Sequence, residues 1–190
     1  MMTLHVFTEE VSAKNVFEVL LQKILPENVS FRIYPHQGKQ DLEKALRTSM
    51  PSISKIPGSK ILITRDQDSS DCKDVKNKIQ QIIGKNCHCE YLIRIACKEL
   101  ESWFMGDLEA IRKAYPRFKP EQYKDKANLR NVDKITAPDK YLLKIIPEYY
   151  NKDTLPKLEV SETITPFLDI NNNNSSSFNN TISAIMKLVS

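Results

Sequence analysis

The stretch Lys60–Cys72, KILITRDQDSSDC, contains the transition that decides the fold. After the leading lysine, its first residues are apolar or β-branched, which is typical of a short buried strand. This strand runs directly into Arg65-Asp66-Gln67-Asp68, and the apolar residues that follow recur at helical spacing. A buried strand that ends in charge and is followed by a helix indicates one unit of a parallel α/β sheet.

The same alternation of strand and helix occurs four times within the first 105 residues. The predicted strands are Thr3–Thr8, Val29–Tyr34, Lys60–Thr64 and Glu90–Ala96. The first predicted helix begins at an N-cap on Ser12 and stops before Pro26. The second spans Asp41–Met50 and is closed by Pro51, and the third spans Asp71–Ile83 with Gly84 as its C-cap. The fourth spans Glu99–Met105. We predict an α/β fold with a four-stranded, mainly parallel sheet flanked by helices.

After Gly106 the pattern loosens, because prolines recur at short intervals. Helices are predicted over Asp107–Tyr115 and Asp139–Ile146, and a polar loop over 171–177 should cap a final helix that docks through Phe178 and Ile185. We therefore predict an α/β core over residues 1–106 and an irregular, partly helical extension over 107–190 that packs on it. A length of 190 residues suits one domain overall.

Composition excludes several classes of protein. No apolar run approaches the roughly 18 residues of a membrane-spanning helix, and the first residues lack the pattern of a secretory signal. We therefore expect a cytoplasmic protein without a membrane partner. The four glycines are too far apart to form a nucleotide-binding loop, which needs clustered glycines. The four cysteines suit reduced thiols better than a zinc site, because Cys87-His88-Cys89 opens a strand-like run.

Positive charge is concentrated between Arg112 and Lys144, where ten basic residues oppose four acidic ones. The chain as a whole has a net charge of +4, so the remainder is negative. Tyrosine and phenylalanine interleave with these basic residues, a pattern that suits DNA or RNA through phosphate contacts and stacking. The alternative is an ordinary solvated surface. The predicted nucleic-acid-binding residues are Arg112, Lys113, Arg117, Lys119, Lys124, Lys126 and Arg130, with His36, Lys39 and Arg65 at strand ends. The alternatives are a structural role for His36 and, for Arg65, pairing with the neighbouring acids.

Acidic residues follow three of the four predicted strands. They are Glu9 and Glu10 after the first strand, Asp66 and Asp68 after the third, and Glu99 and Glu101 after the fourth. Because the carboxyl ends of parallel strands meet at one edge of a sheet, we expect these groups to lie together. Carboxylate oxygens suit Mg²⁺ or Mn²⁺. Taken singly, each acid could instead cap a helix. Helical spacing places Glu99 and Glu101 on opposite flanks, so we expect only one of them to reach the site.

These residues resemble a known family. A first strand ending in Glu and a later one ending in Asp-x-Asp is similar to the Toprim signature of topoisomerases, primases and OLD-type nucleases. The longer strings EEVSAKNVF and IRIACKELESWFMGDLEAI look like a Toprim-like bacterial domain family of unknown function. The resemblance implies that Glu9 is the general acid or base and that Asp66 and Asp68 bind the metal. Glu99 and Glu101 match the family's Glu-Leu-Glu.

The resemblance also implies a function. Members are often encoded beside an ABC/AAA-type ATPase in anti-phage neighbourhoods, so the resemblance implies a metal-dependent nuclease effector with such a partner. The resemblance does not decide whether the protein forms a homo-oligomer. One alternative is a non-catalytic Toprim-like scaffold that binds nucleic acid or the ATPase. Another is a haloacid-dehalogenase-type phosphohydrolase, which ranks last because its Asp-x-Asp usually ends the first strand.

Overall fold

A computed structural model describes all 190 residues, and its central layer is a four-stranded sheet in the order β2-β1-β3-β4. All three neighbouring pairs of strands are parallel. The strands are β1 (Met2–Thr8), β2 (Val29–Pro35), β3 (Ser59–Asp66) and β4 (Tyr91–Ala96). The predicted α/β fold with four parallel strands is confirmed.

Nine α-helices surround or extend from this sheet. They are α1 (Val11–Ile24), α2 (Lys39–Thr48), α3 (Met50–Ile53), α4 (Cys72–Ile83), α5 (Glu101–Met105), α6 (Leu108–Ala114), α7 (Pro138–Ile145), α8 (Lys157–Ile164) and α9 (Ser176–Val189). None of them combines the length and apolar character needed to cross a membrane.

Two details of the predicted helices are wrong. The N-cap of α1 is Glu10 rather than Ser12, and the Ser12 hydroxyl donates a hydrogen bond to Oε2 of Glu10. Pro51 does not close a helix, because α2 ends at Thr48 and Pro51 lies in the first turn of α3. Proline fits a first turn because that turn needs no backbone donor. The prediction that Gly84 is the C-cap of α4 is confirmed.

Alternation along the strands divides the buried side chains between the two faces of the sheet. On one face, Leu4, Val6 and Leu62 belong to a core of 33 buried residues. On the other face, Phe7 and Ile63 belong to a second core of 11 buried residues, which α2, α3 and α4 cover. The sheet is therefore buried on both sides, which fixes the positions of the loops at its carboxyl edge.

The larger core joins the N-terminal sheet to the C-terminal extension. Trp103 lies within it and packs edge-on against Phe17 of α1 and Phe178 of α9. The indole nitrogen of Trp103 donates a hydrogen bond to the hydroxyl of Ser177 at 2.9 Å. The extension thus packs on residues 1–106 through side chains that are fully buried.

The asparagine tract before α9 has a packing role. The buried Asn173 side chain donates to the carbonyl of Trp103 at 2.9 Å and accepts from the amide of Ser175 at 2.8 Å. A Cβ atom on Gly106 would lie 1.9 Å from Oδ1 of Asn173, so only glycine fits there. Ser175 caps α9 by accepting from the amide of Phe178, and the predicted capping loop is confirmed.

Candidate functional site

Carboxylates that follow β1 and β3 meet at the carboxyl edge of the sheet. Oε2 of Glu9 accepts a hydrogen bond from the backbone amide of Asp66 at 3.2 Å, so this side chain bridges two neighbouring strands. Glu9, Glu10 and Asp66 line a small cavity of about 10 Å³. That volume is close to the minimum that holds one water molecule, and an ion of similar size would fill it.

The turn after β3 places Asp68 on the rim of this edge. Backbone hydrogen bonds continue the ladder beyond the strands, from Gln67 to the Ala96 carbonyl and from Asp68 to the Lys98 carbonyl. Asp68 has a φ of 55°, a left-handed conformation that is uncommon for residues other than glycine. Its exposed carboxylate raises the pKa of Glu9 and of Glu99, although burial is the larger cause in both.

Glu99 and Glu101 both approach a lysine from the C-terminal extension. Nζ of Lys157 lies 3.4 Å from Oε1 of Glu101 and 3.8 Å from Oε2 of Glu99. Glu99 precedes α5 and is not held to its helical spacing, so both acids can approach Lys157. The expectation that only one of them reaches the site around Asp66 and Asp68 stays a prediction. Glu101 is only 1% exposed, whereas Glu99 is partly exposed.

Burial dominates the electrostatics of this acidic edge. It raises the pKa of Asp66 well above its usual range, and the nearby Glu101 adds to the effect. It raises the pKa of Glu101 to about 7, although Lys157 opposes the shift. For Lys157 itself, burial disfavours the charged form, but Glu101 and Glu99 outweigh it and raise the pKa. The edge therefore contains one carboxyl group, that of Glu101, which can hold or release a proton near neutral pH.

Arg65 supplies positive charge from within the site rather than at the surface. It is 6% exposed, and its Nε lies 3.5 Å from Oε2 of Glu9. Its Nη1 lies 3.3 Å from Oε1 of Glu43, which also binds Lys78 at 2.6 Å. The guanidinium is buried between two carboxylates, which is the pairing with acids that was one of the two alternatives for Arg65. Its contact with a phosphate stays a prediction.

The two residues predicted near the end of β2 differ in their surroundings. His36 is buried, donates from Nδ1 to the Thr8 carbonyl at 2.8 Å and stacks on Phe7. It therefore ties the ends of β1 and β2 together. Lys39 is exposed at the start of α2 and makes no ion pair, so its role as a phosphate contact stays a prediction.

Comparison with known proteins shows the family. Residues 8–185 match the family described as Domain of unknown function (DUF4276). The chain belongs to the DUF4276 family. No curated protein and no solved structure matches it. The match covers the last residue of β1, the strands β2, β3 and β4, and nearly all of the C-terminal extension, so both parts of this DUF4276 chain are parts of one family domain.

The basic residues predicted to bind nucleic acid lie on the surface of the DUF4276 extension. All ten basic residues between Arg112 and Lys144 are exposed. Only Arg112 forms an ion pair, with Glu109 at 2.7 Å. Exposed cations without internal partners are free to contact a polyanion, and that role remains a prediction.

Sequence reasoning missed two charged residues of the site. Lys157 lies about 90 residues beyond β3 and begins a helix that the sequence pattern did not predict. A lysine directly after Pro156 at a helix N-terminus is unfavourable for the helix dipole, and this is the one signal that could have pointed to an acidic partner. Glu43 lies on the exposed-looking face of α2, and only the fold shows that it binds Arg65.

The acidic edge contains carboxylate oxygens, the donor type that hard divalent cations prefer. No three His, Cys, Asp or Glu side chains lie together in an arrangement that could hold a metal ion as they stand. However, Oε2 of Glu99 and Oε2 of Glu101 are buried without a hydrogen-bond partner. Three acidic residues, Glu9, Glu10 and Asp66, are among those that line the small cavity. Oxygen donors with unused capacity are the ligands that Mg²⁺ and Mn²⁺ prefer.

Proposed function

We propose that this DUF4276 protein cleaves phosphodiester bonds with Mg²⁺ or Mn²⁺ at the acidic edge, and that it acts as a nuclease effector of a bacterial defence system. One observation carries the proposal: Glu9 after β1 and Glu101 after β4 lie near Asp66 at the end of β3, and burial raises the pKa of all three carboxyl groups. The Toprim-like arrangement, with Glu9 after the first strand and Asp66 and Asp68 after a later one, is part of this proposal.

The residues divide into two roles under this proposal. Asp66 and Asp68 would hold the cation together with Glu9, and the cation would supply Lewis-acid stabilisation of charge on the phosphate. Glu9 is oriented by the Asp66 amide and by Arg65, so its carboxylate is fixed for proton transfer. Glu101, with a pKa of about 7, holds a proton beside Asp66 and limits the repulsion there. Glu99 would complete the acidic set from the rim.

The partners in this proposal are DNA or RNA and an ABC/AAA-type ATPase, with the protein acting in the cytoplasm. The exposed cations between Arg112 and Lys144 support a nucleic-acid partner. The ATPase rests on the resemblance of the quoted strings. The scarcity of glycine agrees with it, because ATP dependence would have to come from a second protein.

A non-catalytic scaffold is the second candidate, and Lys157 favours it. Its ammonium already lies within ion-pair distance of Glu99 and Glu101 and supplies positive charge there, which is the role that a metal cation would otherwise take. In a scaffold the acids would fix the extension to the core, and nucleic acid or the ATPase would bind elsewhere on the surface.

A cleavage assay separates the candidates. Fluorescently labelled single- and double-stranded DNA and RNA are incubated with the full-length protein and Mg²⁺ or Mn²⁺, with and without the neighbouring ATPase. We expect metal-dependent cleavage that falls at least about 100-fold in Asp66→Asn. Asp74→Asn, which changes an exposed aspartate on α4, is the matched control and should cleave like wild type. A wild-type protein that cleaves nothing with the ATPase present would favour the scaffold. Phosphate release from small phosphomonoesters alone would favour the phosphohydrolase.

A further inference from the structure

A second concave site lies in the C-terminal extension, between the segment that follows α6 and the end of α7. Its cavity of about 160 Å³ is lined by Arg117, Lys119, Gln122, Tyr123 and Tyr150, together with the apolar Ile145 and Pro147. We call this set of residues the tyrosine pocket. Its lining contains two cations and two tyrosines but no acidic residue, in a chain that has 24 Asp and Glu in all. The pocket therefore favours an anionic ligand with an aromatic part.

Tyr150 has a free ring in this pocket. It is 59% exposed, and its ring has no stacking or cation–π partner, although its hydroxyl lies near that of Tyr123. Tyr123 differs, because its ring stacks on Phe118 at 5.2 Å between centroids and Nζ of Lys126 lies 4.3 Å from its centroid. Tyr123 is thus held in place by the protein, and Tyr150 is the ring that is available for stacking. An aromatic side chain this exposed contributes little to the core, so its place in a basic pocket points to a ligand.

The cations of the pocket are also available. Arg117 and Lys119 are exposed, and neither forms an ion pair with any carboxylate of the chain. A free guanidinium binds a phosphate through two parallel hydrogen bonds, and a free ammonium adds a point charge. The side-chain amide of Gln122 supplies both a donor and an acceptor for a base edge.

The pocket is connected to the acidic edge by a single helix. At the N-terminal end of α7, the backbone of Asp139 lies within hydrogen-bond reach of the Glu99 carboxylate. Burial raises the pKa of Glu99, and this backbone contact opposes the rise. At the other end of α7, Ile145 lines the tyrosine pocket. Eight helical residues at about 1.5 Å each span on the order of 12 Å. A few nucleotides of one strand cover that distance.

We propose that the tyrosine pocket binds single-stranded nucleic acid, with one base stacked on Tyr150 and the flanking phosphates on Arg117 and Lys119. The cavity is smaller than the ~300–1,000 Å³ typical of pockets for drug-sized ligands, so it holds one base of a strand whose other nucleotides lie outside it. A duplex does not fit this mode, because its bases are stacked on one another and present no free face. This inference rests on the proposed function in one respect: the bound strand would be positioned for cleavage at the acidic edge.

Binding is measured without cleavage, so that the two proposals can fail separately. Fluorescence anisotropy of labelled 15-nucleotide dT and U strands, and of a duplex of equal length, is recorded with full-length protein in EDTA at several salt concentrations. We expect saturable binding of a single strand. Tyr150→Ala should weaken it about 5- to 150-fold, the range for loss of one stacked base. Tyr150→Phe keeps the ring and should bind like wild type.

The contribution of the two cations is measured separately, by the salt dependence of binding, which loss of stacking does not change. Replacing both Arg117 and Lys119 by Gln should reduce the slope of log affinity against log salt by about 1.4, since each phosphate contact on a single strand contributes about 0.7. Lys85→Gln, at an exposed lysine beyond the C-cap of α4 and outside the pocket, should leave the slope close to wild type. These side chains are exposed, so the variants should melt like the parent.

Three results would overturn the inference: no binding of either strand by wild type at low salt, unchanged affinity in Tyr150→Ala together with an unchanged salt slope in the double variant, or equal binding of the duplex. Preference for the dT or the U strand identifies the natural ligand as DNA or RNA. If the strands bind in EDTA but the cleavage assay shows no activity, the pocket stands and the proposed nuclease function fails.

Discussion

Nζ of Lys157 lies 3.4 Å from Oε1 of Glu101, although the two residues are separated by most of the C-terminal extension. Lys157 is the first residue of α8, where the helix dipole disfavours positive charge. Glu101 is almost completely buried, where an unpaired carboxylate would be costly. The pair therefore makes the extension part of the acidic edge, and it gives that edge a counter-charge that a divalent cation would have to compete with.

Removing this ammonium should destabilise the protein. We expect Lys157→Met to lower the free energy of unfolding by on the order of 1–3 kcal/mol at pH 8, which is less than for a fully buried pair because Lys157 stays partly exposed. Urea unfolding followed by circular dichroism measures the change. Lys152→Met, which breaks an exposed ion pair with Glu159, is the control and should cost less than about 1 kcal/mol. An equal effect of the two variants would contradict the account.

Glu101 should make stability depend on pH. Its folded-state pKa of about 7 lies above the unfolded value near 4.5, so the folded state keeps a proton that the unfolded state releases between these values. The stabilising effect is complete below pH 4.5 and is lost as the pH rises through 7, up to about 3 kcal/mol for a shift of this size.

Glu101→Gln isolates this contribution, because glutamine cannot ionise. Relative to wild type, the variant should gain stability as the pH rises from 5 to 8, as measured by urea unfolding at both values. His5 titrates in the opposite sense, since burial lowers its pKa, but it is unchanged in both proteins and cancels in the difference. A difference that stays constant with pH would contradict the raised pKa.

Arg65 should tolerate neither loss nor a conservative change. Its guanidinium contacts Glu9 and Glu43 at once, so Arg65→Met leaves Glu9 without its counter-charge and Glu43 with Lys78 alone. The change should cost about 3 kcal/mol, the lower end of the range for a broken buried ion pair. Arg65→Lys should not restore wild-type stability, because one ammonium does not reproduce a planar fork with two separated contacts. Thermal melting of the three proteins tests this, and a lysine variant that melts like wild type would refute it.

Gly106 should be intolerant of a methyl group. A Cβ there would meet Oδ1 of Asn173 at 1.9 Å and the amide nitrogen of Ser175 at 2.9 Å, so Gly106→Ala should cost about 1–3 kcal/mol through displacement of the loop before α9. Chemical unfolding measures the loss. Adding Asn173→Gly removes the closest clash, so the double variant should lose less stability than the sum of the two single variants. Simple additivity would show that Gly106 and Asn173 are not coupled.

Much of the fold could be predicted from the sequence because the strand signals are local. The runs around Val6, Ile33 and Ile63 end in turns or charges, and their order along the chain implies parallel pairing. The convergence of Glu9 with Asp66 also followed from that order, because parallel strands end at one edge. Helix α8 was not predictable, since its burial depends on contacts with α1 and its apolar residues form no clear stripe.

The charged residues that pair with the acids and with Arg65 could not be predicted from the sequence for the same reason. Lys157 and Glu43 acquire their roles only through packing between elements that are distant in sequence. The basic residues between Arg112 and Lys144 could be predicted as a group, but their composition does not say that Tyr150 and Arg117 line one cavity. Sequence patterns report local periodicity and strand order, whereas a pocket between irregular segments depends on the complete tertiary structure.

Calorimetric titration of Mn²⁺ into the full-length protein at pH 7.5 tests the central claim, that the acidic edge holds a divalent cation. We predict a saturable heat of binding in wild type, its loss in Asp66→Asn, and tighter binding in Lys157→Met, because the competing ammonium is gone. Melting curves confirm that each variant is folded before titration. An absence of binding in wild type, or binding that is unchanged in Asp66→Asn, would contradict the account.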